Sequence, residues 1–130
     1  MNQKQRPWLI IAGLLGSTGV ALGAVAAHAI SDPLAATALE RATTYQILHA
    51  IALAAISGAE YRLMGLARLL MALGTLVFCG SIYAKYLLDL PNIGQFAPFG
   101  GTSLIVSWLL VALAAIVSGH SHQDHDHSGH

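Results

Sequence analysis

Long apolar stretches without charged residues dominate the pattern of this sequence. No Lys, Arg, Asp or Glu occurs from Trp8 to Ile30, from Leu69 to Ala84, or from Leu90 to His120. A helix of about 20 mainly apolar residues is long enough to cross a hydrocarbon core of about 30 Å. The pattern therefore predicts an all-α membrane protein, and the lipid bilayer is its first expected partner.

The distribution of polar residues divides the chain into four predicted spans and a tail. The spans cover residues 7–29, 34–57, 66–88 and 102–118, within one transmembrane domain of residues 1–119. The second span is the least apolar, because Glu40 and Arg41 lie in its first half, which must face other helices or the interface. Ser31 or Asp32 before Pro33 is typical of a helix start.

Two polar or irregular segments interrupt this pattern. Residues 90–101 are rich in Pro and Gly, which predicts a loop, and Phe96–Gly101 is interpreted as a turn that sets the entry angle of the last helix. Residues 120–130 hold five His and two Asp and no apolar side chain to bury, which predicts a disordered His-rich tail.

The start of the chain allows two interpretations. Ala27-His28-Ala29 matches the small-x-small pattern of a signal-peptidase site. The preceding apolar stretch is longer than the about 7–15 residues of a usual signal core. It also carries a glycine face that a cleaved segment does not need, at Gly13, Gly16, Gly19 and Gly23. We expect this segment to be retained as the first span.

Charge adds an orientation and excludes one class of partner. Charged residues make up 9% of the chain, against about 25% in ordinary soluble domains. The net charge of zero gives no electrostatic reason to expect nucleic acid as a partner. Basic residues near span ends favour the cytoplasmic side, and Lys4, Arg6, Arg62 and Arg68 outnumber Arg41 and Lys85. The expected topology is N-in and C-in.

Small residues at a spacing of four predict a packing face on the first span. Gly19 and Gly23 form a GxxxG motif, and Ala27 continues the same spacing. Such residues let helix backbones approach closely in lipid. The motif leaves open whether the partner helix belongs to this chain, to a second copy, or to another membrane protein.

Ionisable residues within a span are the first candidates for chemistry. Arg41, Tyr45 and His49 share one side of the second helix, Gln46 lies further round, and His28 near the end of the first span could face them. Intramembrane polar residues are costly and are functional-site candidates. The favoured interpretation is nevertheless hydrogen-bonded packing. The alternatives are a proton or small-ligand site, or a bound metal.

The tail is the second candidate, because neutral imidazoles suit divalent Zn, Ni or Cu. Its candidate metal ligands are His120, His122, His125, His127 and His130. The favoured alternative is a solvated, pH-sensitive tail. No catalytic triad order, phosphate-binding glycine loop or carboxylate pair occurs, so neither enzymatic activity nor a resident cofactor is expected, apart from a divalent metal on the tail.

Several short motifs in order carry a resemblance to a known family. They are Gly23-Ala-Val-Ala-Ala-His28, Thr43-Thr-Tyr-Gln-Ile-Leu-His-Ala50, Phe78-Cys-Gly-Ser-Ile-Tyr83, Ala97-Pro-Phe-Gly-Gly101 and Ser107-Trp-Leu109. This order resembles domain-of-unknown-function family 423, the bacterial relatives of eukaryotic transmembrane protein 256. The resemblance covers residues 8–118 and implies a small four-helix protein of the bacterial inner membrane. It implies no activity.

Two functional hypotheses follow from different classes. The first is a non-enzymatic accessory or structural membrane protein that acts through helix contacts. The alternative is a small transporter or a proton- or metal-handling protein that uses His28, Arg41, Gln46 and His49, with the tail as a metal collector. They differ in whether the polar face of the second helix lines water or is packed dry.

Overall fold

Four α-helices and one short 3-10 helix form the described part of the chain. A computed structural model describes residues 2–126, with side chains through residue 119. Its helices are α1 (Arg6–His28), α2 (Pro33–Ile56), α3 (Met64–Leu87) and α4 (Ala97–Asp126), with the 3-10 helix Pro91–Phe96 between α3 and α4. Within residues 2–126 there is no strand, which confirms the all-α class.

The starts of the first helices follow the local chemistry of the sequence. Asp32 is the N-cap of α2, and its carboxylate accepts a hydrogen bond from the Ala35 amide at 3.1 Å. Pro7 and Pro33 lie in the first turns of α1 and α2, where a missing N–H costs nothing. The bounds of α1, α2 and α3 lie within two residues of the predicted ranges.

The predicted loop at residues 90–101 is wrong over its second half. Residues 91–96 form the 3-10 helix, and α4 begins at Ala97 rather than residue 102. Pro98 is tolerated because it lies in the first turn, where its amide would have no intrahelical partner. Gly100 and Gly101 are helical rather than turn residues, because α4 crosses α3 there at very short range.

The far end of α4 also differs from the prediction. Its backbone is helical through Asp126, so the predicted disorder of the tail is not confirmed for residues 120–126. Residues 127–130 lie outside the described residues.

Glycines set the distances between neighbouring helices. At Gly100, an added Cβ would lie 2.9 Å from the Gly74 carbonyl oxygen and would collide with the backbone nitrogen of Phe78. At Gly19, an added Cβ would lie 2.9 Å from Ile47 Cγ1, which is too close. At Gly23, an added Cβ would lie 3.6 Å from Thr43 Oγ1, an ordinary contact distance. The GxxxG motif of α1 therefore packs against α2 of the same chain.

The predicted packing face does not continue to Ala27 within the chain. Ala27 is exposed, whereas its neighbour Ala26 is buried. Each four-residue step passes a full helical turn by about 40°, so two such steps carry Ala27 away from the contact line. The three-residue step from Gly23 returns Ala26 to it.

A small apolar core joins all four helices. Buried side chains from α1, α2, α3 and α4 meet in one cluster, whose largest members are Leu15, Leu53, Met71 and Leu104. The opposite surfaces expose large apolar side chains such as Ile10, Leu14, Leu76 and Ile105. Extensive exposed apolar surface indicates contact with lipid.

Length and composition qualify three helices of the described part as membrane spans. They are Arg6–His28, Met64–Leu87 and the segment Pro91–Gly119. The remaining helix, α2, carries Glu40, Arg41 and a run of polar residues in its first half. The protein is therefore a multi-pass membrane protein, and α2 is the helix that does not qualify as a span by length and composition alone.

Two adjacent glycines give a matched test of the close crossing between α3 and α4. Gly100→Ala should destabilise the protein by about 1–3 kcal/mol, because the added methyl meets backbone atoms that cannot rotate away. Gly101→Ala should be neutral or stabilising by up to about 1 kcal/mol, since its methyl would lie at an ordinary 3.7 Å from the Phe78 ring. Unfolding in detergent measures the stability of both variants. Equal losses of stability would contradict the close crossing of α3 and α4.

Candidate intramembrane polar site

Helix α2 lies between α1 and α3 and carries the two largest buried polar side chains of the described residues, Gln46 and His49. Gln46 and His49 are buried, at 3% and 6% exposure. They are three residues apart, so they leave the helix in directions that differ by about 60°. Gln46 contacts α1 and α3, whereas His49 contacts α4.

The Gln46 side chain joins three helices through hydrogen bonds. Its Nε2 donates to the Leu15 carbonyl oxygen at 2.8 Å and to Thr18 Oγ1 at 2.7 Å, both on α1. Its Oε1 accepts from the Tyr83 hydroxyl of α3 at 2.6 Å. Because a carbonyl oxygen can only accept, the orientation of the amide is fixed by its partners. Both amide protons and the amide oxygen are therefore satisfied within the chain.

The two ring nitrogens of His49 have partners of opposite kind. Nδ1 lies 2.6 Å from the Tyr45 carbonyl oxygen, and Nε2 lies 3.1 Å from the indole nitrogen of Trp108. A carbonyl only accepts and an indole N–H only donates. These contacts select the neutral imidazole with its proton on Nδ1. The free lone pair of Nε2, which a metal or a proton would need, is taken by Trp108.

Aromatic rings surround this histidine. The rings of Tyr45 and His49 stack at 6.1 Å between centroids, Trp108 meets His49 edge-on at 6.0 Å, and Phe78 meets Tyr45 edge-on at 5.3 Å. The same rings line a groove of about 270 Å³ between α2 and α4. Its walls are apolar apart from His49 and the tyrosine hydroxyl, so the groove suits hydrocarbon rather than an ion.

His28 and Arg41 are not brought into this network. Both side chains are exposed, and the partners of Gln46 and His49 are the atoms of other residues. The five predicted site residues thus separate in the structure. Tyr45 and His49 form an aromatic cluster, Gln46 forms a hydrogen-bonded cluster on another side, and His28 and Arg41 lie on the surface.

Three side chains that complete these clusters were not among the predicted site residues. They are Thr18, Tyr83 and Trp108, and each lies in a stretch that the sequence classifies as apolar. A physical signal for two of them is present in the sequence: a tyrosine hydroxyl or an indole N–H inside a span has no water and must find an acceptor. No sequence pattern identifies which acceptor it finds.

Metal ligands were predicted in two places. Within the described residues, no group of three or more His, Cys, Asp or Glu side chains is placed to hold a metal ion. The side chains of His120, His122, His125, His127 and His130 lie outside the described residues, so metal binding by the tail stays a prediction.

Comparisons with known proteins return membrane proteins without an assigned activity. The model of a family described as "Protein of unknown function (DUF423)" matches residues 22–101. A UPF0382 membrane protein of Haemophilus influenzae is 37% identical over 117 residues, which cover 85% of this chain and 94% of the relative. A UPF0382 membrane protein of Staphylococcus saprophyticus is 34% identical, over 82% of this chain and 93% of the relative.

A third relative carries a location in its name. The UPF0382 inner membrane protein YgdD of Escherichia coli K12 is 32% identical over 115 residues, which cover 83% of this chain and 88% of the relative. No solved structure matches the chain.

Two tyrosines give a matched test of the Gln46 network. Tyr83→Phe removes the donor to the Gln46 oxygen and should destabilise the protein by about 1 kcal/mol, the scale of an interhelical hydrogen bond in lipid. Tyr45 is 42% exposed and contacts His49 through its backbone carbonyl and its ring face. Tyr45→Phe keeps both contacts and removes only the hydroxyl, so this substitution should change stability little. Reversible unfolding in detergent checks this, and equal effects would contradict the network.

Proposed function

The chain belongs to the DUF423 family of inner-membrane proteins, and on that premise we propose that it is a non-enzymatic accessory or structural protein that crosses the membrane four times. It acts through contacts of its helices with lipid and with other membrane proteins, including further copies of itself. No step of this function turns over a substrate.

One observation carries the proposal: the buried polar groups of α2 have their partners within the chain. Gln46 is bonded through its nitrogen and its oxygen, and His49 through both ring nitrogens. Cys79 of α3 donates its thiol to the Ala42 carbonyl oxygen at 3.2 Å. Transport and proton relay require polar groups that face water or a ligand. Groups that bond one another hold helices together instead.

The register of α1 against α2 supports a crossing by α2. Gly23 faces Thr43 and Gly19 faces Ile47. Counting five residues onward from Gly23 and five residues back from Thr43 places His28, the end of α1, level with Ala38. Residues 33–38 of α2 then stand at the membrane surface, and Glu40 and Arg41, just beyond them, lie near enough to it to extend their side chains into the headgroups.

The length of α2 agrees with this placement. Its 24 residues extend about 36 Å at about 1.5 Å per residue, which exceeds a hydrocarbon core of about 30 Å. The excess accommodates about one helical turn outside the core. Four crossings place both ends of the chain on one side, and the excess of Lys4, Arg6, Arg62 and Arg68 favours the cytoplasm.

The rival function is a small transporter or a proton- or metal-handling protein. It would need His28, Arg41, Gln46 and His49 to share a water-filled path, with the histidines of the tail collecting metal. The exposure of His28 and Arg41 and the pairing of Gln46 and His49 disfavour this function. Metal binding by the tail histidines is the part of this rival function that experiment can test.

Reporter fusions test the four crossings and their orientation. Fusions after Arg6, near Gly58 and after Ser118 should report the cytoplasm, whereas fusions near Ser31 and Ile93 should report the periplasm. The fusion near Ser31 compared with that near Gly58 isolates α2. If these two report the same side, α2 does not cross and the four-span arrangement is wrong.

Removal of residues 120–130 separates the accessory function from metal handling. We expect the truncated chain to keep its unfolding temperature and the membrane proteins crosslinked to it in cells, because the core clusters of the described side chains are formed by residues before 120. Retention on an immobilised-metal column should fall, because the five tail histidines are gone.

The matched variant His49→Gln addresses the bundle itself. A glutamine amide can donate to the Tyr45 carbonyl and accept from Trp108 but does not titrate. Proteoliposomes of the full chain and of this variant should show proton flux no higher than empty vesicles. If the full chain conducts protons and His49→Gln abolishes this flux, the accessory function is wrong and the proton-handling function is favoured.

A further inference from the structure

A polar pocket lies at the end of the molecule where α1 begins and where α2 gives way to α3. It has a volume of about 370 Å³ and is lined by side chains from the segment before α1, from the connection after α2, and from α3. The lining side chains include Asn2, Lys4, Gln5, Ser57, Glu60 and Arg68. No part of the proposed accessory function uses this pocket.

Arg68 provides a fixed positive charge in the wall of the pocket. Its Nη1 donates to the carbonyl oxygens of Ile56 at 2.9 Å and Ala59 at 2.8 Å, and its guanidinium carbon lies 5.7 Å from the centre of the Trp8 ring. These partners hold the guanidinium in place but carry no full negative charge. Its Nε is buried and has no hydrogen-bond partner among the described residues.

The backbone around the pocket adds to this positive potential. Helices α1 and α3 both begin here, and neither has an acidic residue in its first turn or a side-chain N-cap. A helix start carries about half a positive charge and unpaired N–H groups. Helix α2 ends here with the opposite sign, but Arg68 occupies the carbonyl oxygen of Ile56, its last residue.

The remaining polar groups suit an anion with several oxygens. Lys4 is exposed at the rim. The Gln5 amide nitrogen donates to Ser57 Oγ at 3.1 Å, and the Ser57 hydroxyl donates to the Ala54 carbonyl oxygen at 2.7 Å, so the second amide proton of Gln5 is the donor that this part of the wall offers. One group opposes an anion: the carboxylate of Glu60, which accepts from Asn2 Nδ2 at 3.0 Å. The balance is two cations and two helix starts against one carboxylate.

We propose that this pocket binds the phosphate group of an acidic phospholipid. Guanidinium and ammonium groups are the usual protein ligands of phosphate. Basic pockets between helices at the membrane surface are a recurring form of lipid-headgroup recognition. The source is a lipid rather than a soluble anion because the pocket lies at the ends of two membrane-spanning helices. Trp8, whose ring lies beside Arg68 of the pocket wall, is a residue type of the headgroup zone, and Leu66 and Leu69 expose apolar surface on the first turns of α3.

The fluorescence of Trp8 reports this site directly, since its ring lies against Arg68. The full chain carrying Trp108→Phe, in detergent, is titrated with dioleoyl phosphatidylglycerol and with dioleoyl phosphatidylcholine. Phosphatidylglycerol should change the emission at a concentration at least about tenfold below that needed for phosphatidylcholine. Lys4→Gln and Arg68→Gln should each weaken phosphatidylglycerol binding by about tenfold, the loss expected for one charge-assisted hydrogen bond.

Two further variants separate a built site from general attraction of charge. Arg62→Gln makes the same charge change in the connection between α2 and α3, but Arg62 is exposed and does not line the pocket, so binding should be unchanged. Glu60→Gln removes the opposing carboxylate and should tighten binding. Because Arg68→Gln also breaks two bonds that hold the end of α2, Lys4→Gln and Glu60→Gln decide the outcome if that variant does not fold.

Three results would overturn the proposal. Equal affinity for the two lipids would show that the acidic headgroup is not recognised. Equal losses in Arg62→Gln and Lys4→Gln would assign the effect to overall charge. Inorganic phosphate that reproduces the emission change at the same phosphate concentration as the lipid would identify a soluble anion as the ligand.

Discussion

A polar group inside a bilayer has no water to bond, and this constraint governs the arrangement of α2. Its buried amide and imidazole must find partners on neighbouring helices, because each unsatisfied group in hydrocarbon costs several kcal/mol. Gln46 binds α1 and α3, and His49 binds α4. The least apolar helix of the described residues therefore contacts each of the other helices through a buried polar side chain. Polarity that weakens α2 as an isolated span gives the bundle a specific arrangement.

Close approach of the backbones makes these bonds possible. The bond from Gln46 to a backbone carbonyl of α1 needs the two helices to lie near each other, and Gly19 leaves that space. On the other side, Gly74 and Gly100 bring α4 onto α3, which places Trp108 against His49. In lipid, packing and hydrogen bonds rather than hydrophobic burial hold helices together. The glycines and the polar side chains therefore act as one system.

The helices could be predicted from the sequence because their signals are local. Runs of apolar residues, Asp32 before Pro33, and the charged connection between α2 and α3 all identify elements without reference to neighbours. The errors came where distant contacts decide the structure. Pro98 and Gly100 suggest a loop by composition, yet they are helical because Gly100 must fit against Phe78. Spacing placed Gln46 and His49 on a polar face, but it could not identify Tyr83 and Trp108 as their partners, which lie on other helices.

In the accessory function that we propose, the polar groups within the membrane are bonded to one another and closed to water. The most direct measurement is nitrogen-15 solid-state NMR of His49 in lipid bilayers at neutral pH, with transfer of magnetisation from water. We expect a neutral ring with the proton on Nδ1 and an Nε2 that is coupled to the indole proton of Trp108. We expect no rapid transfer of magnetisation from water to this ring. A doubly protonated ring, or a ring that receives magnetisation directly from water, would contradict the proposal.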